Sequence, residues 1–179
     1  MTTPGNKYCI VIVEDDKDSL LYYESALKPS IQNCDIVSFS SISDALFNFI
    51  RDVHIDLFIV DIHIGYDDGI QLSQKFLETM TGLTFLFISG FDYTIDSFKQ
   101  FDGKCIYDFM SKPIKSEELI IRVKALLNIS RSYNRVLKYI EMIKDQCMVL
   151  STDNLRNEYH QRLHEDKLMI DKIKGEVFK

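Results

Sequence analysis

Up to about residue 130, short apolar runs alternate with segments of helical spacing, and this alternation limits the possible fold more than any other feature. The apolar runs are rich in β-branched and aromatic residues. Three of them (YCIVIV, LFIV and TFLFI) are apolar almost throughout, which is typical of strands buried on both faces in a parallel sheet. The five predicted strands are Tyr8–Val13, Asp35–Phe39, Leu57–Val60, Thr84–Ile88 and Ile106–Phe109.

The segments between and after these runs carry apolar residues at helical spacing. They lie around Leu20–Leu27, Ala45–Ile50, Ile70–Leu77, Ile95–Phe101 and Leu119–Leu127. A strand–helix unit repeated five times predicts a doubly wound α/β fold, with a five-stranded parallel sheet and right-handed crossovers. Ligands of such sheets bind outside the carboxyl ends of the strands.

Charge and composition exclude several classes of protein. Residues 1–129 hold 11 basic and 19 acidic side chains, a net charge of −8, and residues 130–179 hold 10 and 8, a net charge of +2. The first segment is therefore poorly suited to nucleic acid, and we expect no direct contact with it. The four cysteines show no C-x-x-C spacing, and no apolar run approaches 18 residues. These features predict a cytoplasmic protein with no membrane span.

Polar residues follow four of the predicted strands at the edge where ligands bind. Glu14, Asp15 and Asp16 follow the first strand and Asp61 the third, while Ser89 and Lys112 follow the fourth and fifth. Carboxylates from two strand ends suit Mg²⁺, which takes oxygen ligands. An aspartate beside Mg²⁺ can attack a phosphoryl group, whose oxygens a lysine and a hydroxyl can hold.

The motifs "IVEDD", "LFIVDIHIGYDDG", "FLFISG" and "DFMSKPI" carry a family resemblance over residues 7–128. In order and spacing the chain resembles the receiver domain of bacterial two-component response regulators, the CheY-like superfamily. The resemblance implies a flavodoxin-like sheet with strand order 2-1-3-4-5. It also implies a glycine at Gly69 that closes the loop after the third strand, and a cis peptide bond between Lys112 and Pro113.

The resemblance implies a role for each site residue. Mg²⁺ is bound by Glu14, Asp15, Asp61 and the main-chain carbonyl of His63, and Asp61 is the phosphorylated aspartate. Lys112 contacts the phosphoryl group, and Ser89 and Phe109 are the switch residues. His63 and Phe91 stand where the family tunes the loss of phosphate to water. Gly65 replaces a proline usual in the family, which predicts a looser loop.

These features predict a phosphorylation-activated signalling switch. A sensor histidine kinase or a histidine phosphotransfer protein supplies the phosphoryl group, and the chain acts on itself, so we do not expect an ordinary enzyme. One rival is a Mg²⁺-dependent phosphohydrolase with an aspartyl-phosphate intermediate, although such enzymes commonly carry an Asp where this chain has His63. The other rival is an interaction module that is never phosphorylated.

We predict a receiver domain over residues 1–129 and a helical or coiled-coil extension over residues 130–179. The extension has apolar residues at 3/4 spacing, in one register through Tyr133, Leu137, Ile140, Ile143 and Cys147, and in a second through Tyr159, Leu163, Ile170, Ile173 and Val177. This spacing predicts a homodimer or, alternatively, an appendage packed on its own receiver. No output domain is legible, which suggests that an effector lies beyond Lys179. His160 and His164 are expected to lie on a solvated face.

Overall fold

The computed structural model describes residues 7–90 and 95–150, together with 161, 164 and 165. The chain divides into two compact units, residues 1–135 and 136–179. In chain order the elements are β1 (Tyr8–Val13), α1 (Lys17–Leu27), β2 (Cys34–Phe39), α2 (Asp44–Asp52), β3 (Leu57–Asp61), β4 (His63–Ile64), β5 (Asp67–Asp68), α3 (Gly69–Thr79), β6 (Thr84–Ser89), a 3₁₀ helix (Ile95–Phe101), β7 (Ile106–Ser111) and α4 (Ser116–Leu150).

Five strands form one parallel sheet in the order β2-β1-β3-β6-β7. The short strands β4 and β5 lie outside this sheet. When only its five strands are counted in chain order, the strand order is 2-1-3-4-5, as predicted. The register pairs Val13 of β1 with Val60 of β3, and Asp61 of β3 with Ile88 of β6. The carboxyl ends of β1, β3 and β6 therefore meet at one edge of the sheet.

The three central strands, β1, β3 and β6, are buried on both faces, as their near-continuous apolar runs predict. Alternate residues of β1 point to opposite sides, so Val11 and Val13 join one hydrophobic cluster and Ile10 and Ile12 join the other. Aromatic rings fill the first cluster, where Phe85 stacks on Phe58 at a centroid distance of 5.3 Å and on Phe87 at 5.5 Å.

The predicted fourth helix is a 3₁₀ helix over the described residues Ile95–Phe101. A 3₁₀ helix has three residues per turn, so residues three apart share a face. Phe98 and Phe101, which have this spacing, are both buried. The sequence spacing identified the buried face correctly, but it does not distinguish a 3₁₀ helix from an α-helix over so short a segment.

Helix α4 continues without interruption from Ser116 to Leu150. Leu119, Val123 and Leu126 lie on its buried face within the first unit. The predicted second register of the extension lies outside the described residues, and so does His160. Gln161, His164 and Glu165 are helical and exposed. Among the described residues, no helix combines the length and the apolar character needed to cross a bilayer.

Candidate functional site

Asp61 is the last residue of β3, the central strand of the sheet, and its side chain is buried. Its Oδ1 atom accepts a hydrogen bond from the main-chain N–H of His63 at 3.0 Å. Its Oδ2 atom accepts one from Lys112 Nζ at 2.6 Å. The carboxylate is therefore fixed by two elements, the loop after β3 and the end of β7.

Three carboxylates, those of Glu14, Asp15 and Asp61, converge at the carboxyl edge of the sheet. Glu14 and Asp15 follow β1, and their oxygens and those of Asp61 come within 4.8 Å of one another. Glu14 is buried and Asp15 is exposed. Asp16 has a different task, since its side chain caps α1 by accepting from the N–H of Ser19 at 2.9 Å. That hydrogen bond lowers the pKa of the Asp16 carboxyl below its usual range.

Lys112 joins the two buried carboxylates. Its Nζ atom lies 2.6 Å from Asp61 Oδ2 and 2.8 Å from Glu14 Oε2. Burial of the ammonium lowers the pKa of Lys112, but the hydrogen bonds to Asp61 and Glu14 outweigh this and raise the pKa above its ordinary value. Lys112 is thus a fixed positive charge. The peptide bond that joins it to Pro113 is cis.

The environment of Glu14 disfavours its charged form. Burial raises the pKa of Glu14 to about 7, the hydrogen bond from Lys112 opposes the rise, and the nearby charge of Asp61 adds to it. The repulsion between the two carboxylates is therefore only partly relieved by Lys112. A divalent cation at this edge would complete the neutralisation, and an all-oxygen donor set fits Mg²⁺.

Tyr23 is a site residue that the sequence reasoning did not identify. Its side chain is buried, and its hydroxyl donates to Glu14 Oε2 at 3.4 Å. Burial is the main cause of the raised pKa of Tyr23, so the phenol keeps its proton and remains a donor. Its helical spacing in α1 is that of any core residue, and no pattern in the sequence singles it out.

The loop after β3, which is predicted to be looser because Gly65 replaces a proline, contains a short hairpin. His63 pairs with Asp68 and Ile64 with Asp67, and Gly65 is one of the two residues that join the strands. Its φ of +62° belongs to the left-handed region, which hairpin turns require and proline cannot adopt. The glycine therefore permits this turn.

Gly69 lies against the backbone of the site. A Cβ atom at this position would stand 2.1 Å from the carbonyl oxygen of Asp61. The main-chain N–H of Gly69 donates to the carbonyl of Ile62 at 2.9 Å. Only glycine permits this approach. The start of α3 therefore supports the strand end that carries Asp61.

The two expected switch residues lie on neighbouring strands. Ser89 ends β6 and is fully buried, and its carbonyl accepts from the N–H of Lys112 at 2.7 Å. Phe109 lies on β7, where it is 41 % exposed and its ring packs on Phe98 at a centroid distance of 5.8 Å. Phe91, expected to tune phosphate loss, lies outside the described residues, and the side chain of His63 is exposed.

Comparisons with known proteins agree on one family. Residues 10–124 match the family described as the response regulator receiver domain. The heme response regulator HssR of Staphylococcus epidermidis is 31 % identical over 118 residues, which are 65 % of this chain and 50 % of the relative. The transcriptional regulatory protein TdiR of Thauera aromatica is 25 % identical over 150 residues, 79 % of this chain and 63 % of the relative.

Solved structures show the same fold. The signal receiver domain of an HD domain-containing protein from Pseudomonas fluorescens aligns with a TM-score of 0.61 at 18 % identity, over 75 % of this chain and 97 % of that one. The receiver domain of a Francisella response regulator aligns with a TM-score of 0.58 at 23 % identity, over 69 % and 99 %. The chain spans less than two thirds of the curated relatives it matches. It belongs to the response regulator receiver domain family.

Proposed function

We propose that the chain is a phosphorylation-activated switch that accepts a phosphoryl group on Asp61 and relays the change to its C-terminal helices. The observation that carries this proposal is the convergence of Asp61, Glu14 and Asp15 at one edge of the sheet, where Lys112 hydrogen-bonds to both Asp61 and Glu14. Membership of the receiver family makes a sensor histidine kinase or a histidine phosphotransfer protein the expected donor.

In the proposed transfer, an Asp61 carboxylate oxygen attacks the phosphorus of a phosphohistidine. An O–P bond forms while the P–N bond breaks, and the imidazole, protonated on its other nitrogen, leaves as a neutral ring. Lys112 then stabilises the charge on the phosphoryl oxygens, since its ammonium already stands 2.6 Å from Asp61. The Ser89 hydroxyl donates to a phosphoryl oxygen, and Phe109 fills the space that Ser89 leaves.

We assign the cation of this site as Mg²⁺, held by Glu14, Asp15, Asp61 and the main-chain carbonyl of His63. When bound, it offsets the charge of the entering phosphoryl group. The residues support this assignment because the side-chain donors are all carboxylate oxygens, and because the buried Glu14 has a pKa raised to about 7 by burial, beside Asp61. Soft ligands such as cysteine are not among the donors.

The wider role follows from the same proposal. We infer a cytoplasmic protein that forms a homodimer through residues 130–179, with residues 1–129 as the receiver, and that makes no direct contact with nucleic acid or membrane. The chain catalyses its own modification and turns over no separate substrate. A phosphohydrolase is disfavoured because its acid/base position, two residues after Asp61, holds His63, whose side chain is exposed.

Intact-mass analysis after incubation with acetyl phosphate tests the assignment of Asp61. We expect one added phosphoryl group with Mg²⁺, none with excess EDTA, and none in an Asp61→Asn variant. Asp67→Asn, which changes an exposed carboxylate in the adjacent hairpin, is the matched control and should gain the group. An Asp61→Asn chain that still gains the mass would refute the assignment, and release of inorganic phosphate without a phosphorylated form would favour the hydrolase.

In this proposal the lifetime of the phosphorylated chain depends on His63 and Phe91, because the family tunes the loss of phosphate to water at these two positions and bulky residues there should slow it. We expect a His63→Asn, Phe91→Glu variant to lose its phosphoryl group several-fold faster than the wild type, as measured by intact mass over time. An equal or slower loss in the variant would show that the two side chains do not shield the site.

A further inference from the structure

The distal part of α4 carries an exposed apolar stripe. Ile129 and Tyr133 belong to it in the first unit, and Val136, Ile140 and Ile143 belong to it in the second; all five are between 39 % and 58 % exposed. They are spaced by four, three, four and three residues along one helix. This is the spacing of the a and d positions of a coiled coil, and the sequence continues it to Cys147 and Leu150.

The stripe is distinct from the face that α4 uses within the receiver. Leu126, Leu127 and Ser130 are buried there, whereas Ile129 between them is half exposed. The expected register of the extension ran through Leu137, which is half-buried, and it omitted Val136, which is 54 % exposed. Because a contiguous exposed apolar stripe of this length marks an interaction surface, it requires a partner.

The flanks of the stripe suit an identical helix. Lys144 carries the one charge at the e and g positions beside the seam, so two copies meet without a ladder of like charges. Charged residues stand instead at the outer b, c and f positions, which are Arg131, Arg135, Lys138, Glu141 and Asp145. Ile at both a and d favours a three-stranded coil. This combination occurs in one heptad only, at Ile140 and Ile143, because the other a positions hold Tyr133 and Cys147.

We propose that residues 129–150 pair with the same segment of a second copy of this chain, as a two-stranded parallel coiled coil in register. The inference rests on the homodimer of the proposed function and specifies its surface, orientation and register. It does not depend on the chemistry of Asp61, so the two proposals can fail separately.

Cys147 is a native probe of the register. At an a position, the two copies of a residue face each other across a parallel in-register seam, within the Cα separation that a disulfide needs. Cys9, Cys34 and Cys105 are poor competitors, because burial raises the pKa of each thiol to about 11. Diamide, which accepts the two electrons released, should give a disulfide-linked dimer that is lost in Cys147→Ser. A dimer in solution without this cross-link would refute the parallel register.

Sedimentation of the full chain tests the seam itself. Ile140→Lys places a charge at the centre of the stripe and should raise the dimer dissociation constant at least about tenfold. Asp145→Lys introduces the same residue at an exposed outer position and should leave the constant unchanged. A wild-type monomer, as expected if residues 151–179 cover the stripe, would overturn the proposal. An oligomer whose mass is not twice that of the chain would also overturn it. The same holds if both variants weaken the dimer equally.

An intact-mass assay of the Ile140→Lys variant separates the two proposals. We expect this variant to gain its phosphoryl group from acetyl phosphate as the wild type does. If the wild type is monomeric but still gains the group at Asp61, the dimer inference fails and the receiver assignment stands.

Discussion

Lys112 shares one ammonium between two buried carboxylates, and this arrangement determines the electrostatics of the site. A buried charge is tolerated only when it is paired, and here Asp61 and Glu14 depend on the same partner. The pKa of Glu14, raised to about 7, reflects burial that the lysine offsets only in part. Cation binding at Glu14 and Asp61 would release Lys112 toward an incoming phosphoryl oxygen. The lysine can therefore neutralise the carboxylates without the cation and the phosphoryl group when the cation is bound.

Tyr23 should position Glu14 for cation binding. Hydrogen bonds to a ligand from residues behind it fix its orientation, and their loss commonly weakens metal binding by a factor of ten or more. Because the Tyr23 hydroxyl lies 3.4 Å from Glu14 Oε2, we expect Tyr23→Phe to raise the Mg²⁺ dissociation constant by about threefold to tenfold. Calorimetric titration with MgCl₂ at constant ionic strength measures this change.

Tyr22→Phe is the matched control for this prediction. The Tyr22 hydroxyl donates to the carbonyl of Ile114 at 3.2 Å and does not contact the carboxylates. The Tyr22→Phe variant loses the same kind of atom from the same helix as Tyr23→Phe. Because the lost hydroxyl does not contact the carboxylates, the Mg²⁺ affinity of this variant should equal that of the wild type. If the two variants bind Mg²⁺ equally, the Tyr23 hydroxyl has no positioning role.

The strands are the elements that the sequence predicts best. Since β1, β3 and β6 are buried on both faces, their sequences must be apolar throughout, and a continuous apolar run is visible without any knowledge of the neighbours. The residue that follows each run then falls at the carboxyl edge, which is how Glu14, Asp61 and Ser89 were identified.

Features that depend on a single backbone angle or on the position of one side chain are harder to predict. The β4–β5 hairpin requires a positive φ at Gly65, and a lone glycine indicates flexibility as readily as a turn. The hydroxyl of Tyr23 reaches Glu14 because α1 packs beside the end of β1. Helical spacing predicts that Tyr23 is buried, but it does not predict which group its hydroxyl contacts. The exposure of Val136 and Ile140 could not be read from a spacing that buried helices share.

The contact between α3 and the end of β3 should not tolerate a methyl group. In Gly69→Ala the new Cβ would meet the Asp61 carbonyl oxygen at 2.1 Å and Val60 Cγ1 at 2.8 Å, so either the helix or the strand end must move. We expect a loss of at least about 2 kcal/mol in the free energy of unfolding, measured by urea denaturation. Phosphorylation of Asp61 should also slow.

Gly90→Ala provides the comparison for Gly69→Ala. Gly90 directly follows β6, and a Cβ there would have no heavy atom within 4 Å. This change should alter the free energy of unfolding by no more than about 0.5 kcal/mol. If Gly69→Ala is as mild as Gly90→Ala, the close approach of α3 to Asp61 does not constrain the site.

At the scale of the whole molecule, α4 connects the proposed phosphorylation site to the proposed dimer surface in the chain. The helix begins four residues after Lys112 and continues to Leu150, so one continuous element both follows the site in the chain and carries the exposed stripe. Its first turns are braced to β7, because Arg122 pairs with Asp108 at 2.7 Å and with Glu118 at 2.9 Å. Asp108 directly precedes Phe109, so a movement of Phe109, the proposed switch residue, would disturb this brace.

Phosphorylation should therefore change the affinity of the dimer, and Phe109 should carry the coupling. A ligand shifts an equilibrium only by its difference in affinity for the two states, so we expect beryllium fluoride with Mg²⁺ to change the dimer dissociation constant by about fivefold to tenfold. Phe109→Ala should abolish this change while leaving the constant of the untreated chain as it is, because the residue lies outside the stripe. Sedimentation of both proteins with and without beryllium fluoride measures the four constants. A wild-type constant that does not respond to beryllium fluoride, or a Phe109→Ala chain that responds as fully, would contradict this coupling.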